Sequence, residues 1–253
     1  MDKKNCWFPM NQKDDSEKLY RVFCFHYAGG SSTAYKNWNK NSHPIEFIPV
    51  ELPGRGTRIY EPCIEEFDVL MDELIPNLKK MIDHRPFFFY GHSMGAIIAF
   101  RAAYKLQKLY GIHPEKLIVA GRHAPHRGDS CVFKSYMGEE ALIKELKRLE
   151  GTPKEALENK ELLQFILPLV KSDYKLHESY KYYGEKLSIP IIAHAGINDG
   201  EANIDEMQHW NKVTGGSFEI KEFQGNHFFV QTLGNKYVSE IIKIVMSTES
   251  RKI

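Results

Sequence analysis

Five consecutive residues, Gly91-His92-Ser93-Met94-Gly95, fit the pattern G-x-S-x-G. The pattern alone is weak, because so short a motif arises by chance in many chains. Its neighbours raise its value. The continuous apolar run Pro86–Tyr90 precedes it and the helix-prone stretch Ala96–Leu109 follows it. That is the strand–turn–helix setting a nucleophile elbow requires. A serine in such a turn takes unfavourable backbone dihedrals and projects its hydroxyl above a sheet, while side chains at 91 or 95 would collide with the adjacent strand or helix. The helix after Ser93 would also aim free N–H groups and its positive dipole end at the site. Ser93 is therefore the candidate nucleophile. The plainer alternative is a glycine-rich turn with an incidental serine.

Serine is a poor nucleophile at neutral pH and needs a base, itself oriented by a carboxylate. In elbow-bearing sheets the order along the chain is serine, acid, histidine. After the strand expected at Ile189–Ala195 comes the turn-rich loop Gly196-Ile197-Asn198-Asp199-Gly200, which makes Asp199 the candidate acid. Glu201 and Asp205 are its nearest rivals, expected instead to cap the helix that follows. The plainer reading of Asp199 is a turn aspartate bonded to its own backbone. After the strand expected at Phe218–Phe223 comes Gly225-Asn226-His227-Phe228-Phe229, which makes His227 the candidate base. Of the 11 histidines it alone follows the last strand. His92 should point away from the serine, His194 reads as a core histidine, and His177 and His209 read as surface residues on helices. The backbone N–H groups of Met94 and Ala28 are the candidate oxyanion donors, Ala28 lying in the glycine-rich loop Phe25–Gly30. No metal site is implied, since His and carboxylates do not cluster at ligand spacing, and serine chemistry needs no cofactor.

These groups require an alternating framework. Strands are expected at Leu19–His26, Ile45–Leu52, Pro86–Tyr90, Lys116–Ala120, Ile189–His194 and Phe218–Phe223. Helices are expected at Ile64–Ile82, with Pro76 as a kink or break, at Ala96–Leu109 and at about Lys236 to Met246. Such alternation predicts an α/β fold with a mostly parallel central sheet and flanking helices. One stretch breaks the rhythm. From about His126 to Tyr183 the chain is helix-prone, with helices expected at Glu139–Leu149, Lys160–Val170 and Asp173–Tyr183. It reads as a helical lid over the carboxyl edge of the sheet. Residues 1–18 read as an irregular, poorly ordered leader, and 19–253 as one domain carrying the lid.

The bulk numbers narrow the function classes. The 253 residues suit one α/β domain. Lys plus Arg number 34 against 33 Asp plus Glu, so nothing electrostatic argues for nucleic acid or an anionic membrane. Cys6, Cys24, Cys63 and Cys131 form neither a disulfide framework nor a C-x-x-C pair, and no signal peptide or bilayer-spanning run is visible. A cytoplasmic monomer is the expectation.

Six segments in order resemble the type II thioesterases, the stand-alone editing enzymes of nonribosomal peptide and polyketide synthesis. They are also similar, more distantly, to the animal thioesterase that releases medium-chain fatty acids. The family's F-P-Y-A-G-G appears as Phe25-His26-Tyr27-Ala28-Gly29-Gly30, and its L-P-G-R as Leu52-Pro53-Gly54-Arg55. The elbow G-H-S-M-G-A is Gly91 to Ala96, and Gly121-Arg122-His123-Ala124-Pro125 resembles the S/G-R-x-x-P segment. Pro168 to Asp173 with Tyr180 resembles the P-x-x-R-x-D…Y helix, with Lys171 for Arg, and Gly225–Phe229 resembles the final G-G/D-H-F-F. The departures are His26, Lys171 and Asn226. The resemblance implies an α/β-hydrolase fold, a Ser93, Asp199, His227 triad, and hydrolysis of acyl or aminoacyl thioesters from the phosphopantetheine arms of carrier proteins. Three other readings stay open at this level: a serine esterase or lipase of the same fold, an acyltransferase, and a non-catalytic carrier-protein binder.

Overall fold

The computed structural model of the chain describes residues 5–10, 17–40, 43–128 and 132–247. Six strands, β1 (Tyr20–Phe25), β2 (Ile45–Pro49), β3 (Phe87–His92), β4 (Leu117–Ala120), β5 (Ile191–Gly196) and β6 (Phe218–Phe223), form one sheet. Their order is β2-β1-β3-β4-β5-β6, and every neighbouring pair is parallel. The helices are α1 (Phe67–Met81), α2 (Met94–Tyr110), α3 (Glu139–Leu149), α4 (Lys154–Glu158), α5 (Lys160–Glu178), α6 (Ile204–Gln208), α7 (Phe229–Leu233) and α8 (Asn235–Met246).

Side chains alternate across a strand, so aromatic runs feed both faces of the sheet at once. Phe23, Phe25, Phe87, Phe89, Leu117 and Val119 pack on one face with α1 and α2. Tyr20, Val22, Phe88, Tyr90 and Ile118 pack on the other, with Tyr237, Ile241 and Val245 of α8. Of these six strands only β6, at one edge, has half-buried and exposed positions in place of buried ones. The continuous apolar character of β3 thus follows from burial on two sides.

The chain leaves β1 in one direction to form β2 and returns on the other side as β3. This reversal places the carboxyl ends of β1 and β3 side by side, with Phe25 in register with Gly91. A crevice opens at such a switch point in parallel sheets. The loop after β1 and the elbow after β3 therefore meet because of topology.

Between β4 and β5 the chain makes α3, α4 and α5, with a separate apolar cluster of Phe133, Leu142, Leu146, Leu157, Leu167, Val170 and Tyr174. The two helices expected at 160–170 and 173–183 are one, ending at Glu178. Pro168 sits inside it on the exposed side, where water can serve the carbonyl that its ring leaves without a donor. Pro76 is likewise carried within α1.

The leader also departs from expectation. Its described residues form no helix or strand, yet Trp7 and Phe8 are 4% and 2% exposed within the main core. Trp7 accepts the Glu51 N–H at 2.9 Å and lies under the Arg58 guanidinium, 4.1 Å from the ring centroid. Their apolar area outweighs the polar composition around them. Residues 1–4 and 11–16 of the leader lie outside the described residues. Replacing Phe8 by alanine should lower the unfolding free energy by about 3 kcal/mol. Urea denaturation reads this directly, and an unchanged midpoint would remove the segment from the core.

Candidate active site

Ser93 has φ 54° and ψ −121°, one of two non-glycine residues with positive φ among the described residues. The strain persists because β3, α2 and β1 crowd the turn. A Cβ on Gly91 would strike the backbone of Gly95 and Ala96, and one on Gly95 would strike the Phe25 and His26 carbonyls. Helix α2 begins at Met94, directly after the serine, two residues earlier than its pattern suggested.

Two other loops converge on this turn. The Ser93 hydroxyl lies 2.9 Å from Nε2 of His227, and His227 Nδ1 lies 2.9 Å from Oδ2 of Asp199. A carboxylate only accepts, so Nδ1 carries the proton and Nε2 is free to accept from the serine. Oδ1 of Asp199 accepts the N–H groups of Glu201 at 2.9 Å and Ala202 at 3.2 Å. The aspartate is therefore both a turn residue and the partner of histidine. Its burial alone would raise its pKa, but the hydrogen bond and charge of His227 and the two backbone donors outweigh that, leaving it below the ordinary value.

The acid and base loops are joined by backbone as well. Ile197 and Asn198 donate N–H bonds of 2.9 Å to Phe223 and Gly225. A Cβ on Gly196 would lie 2.6 Å from the Asn226 carbonyl, so glycine permits the approach. His92 is buried, and its Nε2 lies 2.8 Å from the His227 carbonyl. Burial, then the nearby His227, lowers the pKa of His92 to about 3, keeping the ring neutral as a donor to the base loop.

Ala28 and Met94 both line the same cavity as Ser93 and His227, and among the described residues neither N–H has a partner in the chain. Gly29, at φ 76°, takes the left-handed conformation its tight turn needs, and Gly30 N–H closes the turn onto the Tyr27 carbonyl at 2.9 Å. Gly29 N–H itself is held by Asp173 Oδ2 at 2.7 Å. Arg55 grips the same carboxylate through both terminal nitrogens, each at 2.7 Å, with arginine and aspartate 3% and 1% exposed. Burial alone would depress the Arg55 pKa, and Asp173 more than reverses this. Asp173 thus ties α5 to the loop after β1 through Gly29 and to the loop after β2 through Arg55. Arg55 and Asp173 both stand in recognisable motifs, but their separation of 118 residues hides the pairing from a sequence reading.

The cavity has a volume of about 220 Å³. Leu146, Leu149, Ile166, Val170 and Tyr174 supply an apolar wall from α3 and α5, and Tyr27 and Phe228 flank the serine side. Glu201 is no helix cap: Asn203 caps α6, accepting Glu206 N–H at 3.1 Å, while Glu201 pairs with Arg148 of α3. Asp205 lies in the first turn of α6. Asn226 Nδ2 donates to Glu150 at 2.8 Å, a second tie between the helical insertion and the triad loops. His177 is not a surface residue: it is buried, 2.7 Å from Arg122, and both line the cavity. His209 is half-buried and His194 is a core residue 2.8 Å from the Tyr237 hydroxyl. Lys171 is half-buried, and the fastening of α5 rests on Asp173 instead.

A family profile described as "Thioesterase domain" matches residues 20–247. The chain is 37% identical over 229 residues to linear gramicidin dehydrogenase LgrE of Brevibacillus parabrevis, covering 88% of this chain and 86% of that protein. It is 33% identical over 223 residues to thioesterase PikA5 of Streptomyces venezuelae, covering 87% and 79%. Among solved structures, the type II thioesterase BorB from the borrelidin biosynthetic cluster superposes with a TM-score of 0.84 at 30% identity, covering 97% and 98% of the two chains. The fold is the α/β-hydrolase fold of these thioesterase structures.

Two outcomes follow from the geometry. Asp173→Ala strands a buried guanidinium and should cost about 3–5 kcal/mol in denaturant unfolding; a loss below about 1 kcal/mol would show that the pair is not a fastening. Asp199 binds its proton less tightly folded than unfolded, so its contribution is present above the ordinary carboxylate range and lost as pH falls through the lowered folded value. The stability gap between wild type and Asp199→Asn should therefore close in acid. A gap that stays constant with pH contradicts the lowered pKa.

Proposed function

The chain belongs to the thioesterase family and is a thioester hydrolase, and we propose that it frees acyl or aminoacyl groups from the phosphopantetheine arms of carrier proteins through Ser93, His227 and Asp199. The observation that carries this reading is the relay of 2.9 Å contacts from serine to histidine to aspartate, with serine and histidine lining a cavity that has an apolar wall.

His227 Nε2 takes the Ser93 proton as the hydroxyl attacks the thioester carbonyl. Negative charge moves to the carbonyl oxygen, where the N–H groups of Met94 and Ala28 meet it, with the α2 dipole behind Met94. The pantetheine sulfur leaves as the tetrahedral centre collapses, taking its proton from the imidazolium. A thiol of pKa about 8.5 leaves far more readily than an alcohol, so acylation makes modest demands on the site. Water, deprotonated by His227, then releases the acyl group from Ser93. Asp199 keeps Nδ1 protonated and offsets the charge on the ring through both steps.

The insertion of α3 to α5 acts as a lid whose apolar wall receives the acyl chain. Its ties to the acid and base loops through Glu201 and Asn226 are exposed, so opening there breaks contacts that water replaces at little cost. The carrier protein stays outside, and only its flexible arm reaches the serine. Relatives named for gramicidin and borrelidin pathways support a carrier-protein substrate. One relative is named a dehydrogenase, but the turn after β3 carries G-x-S-x-G and the chain contains no G-x-G-x-x-G dinucleotide fingerprint.

We place the enzyme in the cytoplasm as a monomer. Among the described residues Cys6, Cys24 and Cys63 are free thiols, which suits a reducing compartment. No described helix is long and apolar enough to cross a membrane.

Mass spectrometry of acyl-loaded carrier protein tests this reading. The wild type should unload the arm, Ser93→Ala and His227→Ala should not, and Asp199→Asn should slow kcat by about 10³- to 10⁴-fold. Full unloading by either alanine variant, or faster cleavage of matched p-nitrophenyl esters than of the loaded carrier, would overturn it.

A further inference from the structure

The donor on the β1 side of the oxyanion hole is a single peptide N–H in a loop, and something must hold it in place. His26 follows β1 immediately and is 1% exposed. Its Nδ1 lies 2.9 Å from the Tyr27 carbonyl oxygen, the same oxygen that accepts Gly30 N–H at 2.9 Å. A carbonyl has no proton to give, so Nδ1–H is the donor and Nε2 bears the lone pair. Among the described residues Nε2 is buried with no hydrogen-bond partner, and the ring's one polar contact there is to this carbonyl.

That carbonyl belongs to the Tyr27–Ala28 peptide, whose N–H is the oxyanion donor. The peptide is planar and trans, with C=O and N–H pointing in opposite directions. Fixing the oxygen from behind fixes the direction of the N–H in front. Two donors on one carbonyl also polarise the amide, which strengthens its N–H as a donor. Gly30 makes room for the ring, since a Cβ there would lie 3.2 Å from His26 Cβ and 3.3 Å from Nδ1. The motif this loop resembles has proline at the position, which offers no side-chain donor.

We propose that His26 is a positioning residue of the oxyanion hole, donating through Nδ1 to the Tyr27 carbonyl and thereby aiming the Ala28 N–H at the substrate oxygen. The inference rests on Ala28 serving as an oxyanion donor. Preorganised donors act only as charge develops, so their loss falls on the transition state and spares ground-state binding.

The test compares His26→Asn, His26→Gln and His26→Phe in the full chain. Asparagine can place an amide N–H near the position of Nδ1; glutamine carries it one carbon too far, and phenylalanine fills the space without a donor. The readouts are kcat and KM on an acyl-pantetheine thioester, and the affinity for a trifluoromethyl ketone analogue of it, whose adduct with serine bears the oxyanion. The glutamine and phenylalanine variants should lose about 10- to 100-fold in kcat and a similar factor in ketone affinity, with KM within about twofold of wild type. The asparagine variant should recover most of both. If phenylalanine does not fold, the contrast between asparagine and glutamine decides alone. Equal kcat and ketone affinity for those two variants, or losses confined to KM, would overturn the role of His26. Absence of Ser93-dependent turnover in the wild type would instead remove the catalytic reading beneath it.

Discussion

The geometry of the whole site depends on one strained residue. Ser93 holds a left-handed backbone because the strand before it, the helix after it and the end of β1 are packed too closely for any other path. The absence of Cβ atoms at Gly91 and Gly95 lets these three elements approach. Positive φ at a non-glycine residue costs on the order of 1–3 kcal/mol and survives only where surrounding packing over-determines it. Here that packing is the aromatic interior of β1 and β3, with Phe23, Phe25, Phe87 and Phe89 in edge-to-face contact. The apolar core thus acts on the chemistry directly, by fixing where a hydroxyl points.

A second constraint joins the helical insertion to the sheet. The Arg55–Asp173 pair is almost fully buried, and an ion pair so placed is weak as a source of net stability against an apolar replacement. Its value lies in geometry. One carboxylate binds a guanidinium from the loop after β2 and an N–H from the loop after β1, while standing on α5. Any displacement of α5 at this point would strand a buried charge. The opposite end of the insertion is fastened by half-exposed and exposed contacts, Arg148 to Glu201 and Glu150 to Asn226. The insertion is therefore held by buried contacts where it meets the loop after β1, and by half-exposed and exposed ones where it meets the loops of Asp199 and His227.

Much of this was legible in the residues. Alternating apolar runs gave the six strands in their correct places, and β6 matches its expected span, Phe218–Phe223. The order of serine, acid and histidine, each just after a strand, picked out the three side chains that meet. Boundaries moved where periodicity is silent: α2 starts at Met94, because the elbow is sharp, and α5 runs through Ser172 where two helices were expected. Trp7 and Phe8 were hidden in polar surroundings, since two apolar residues make no period.

Residue type and local spacing determined which groups can do acyl chemistry, because an elbow, a turn aspartate and a loop histidine are each set by a few neighbouring residues. The parallel sheet was equally local in origin, written in the alternation of apolar strands and amphipathic helices. What only the tertiary structure decided are the pairings between distant segments: Asp173 with Arg55, His92 with the His227 carbonyl, Glu201 with Arg148, and the burial of His177 beside Arg122. Each depends on the order of strands in the sheet and the path of a long crossover, and no short stretch of sequence encodes the distance between residues that meet only when both are in place.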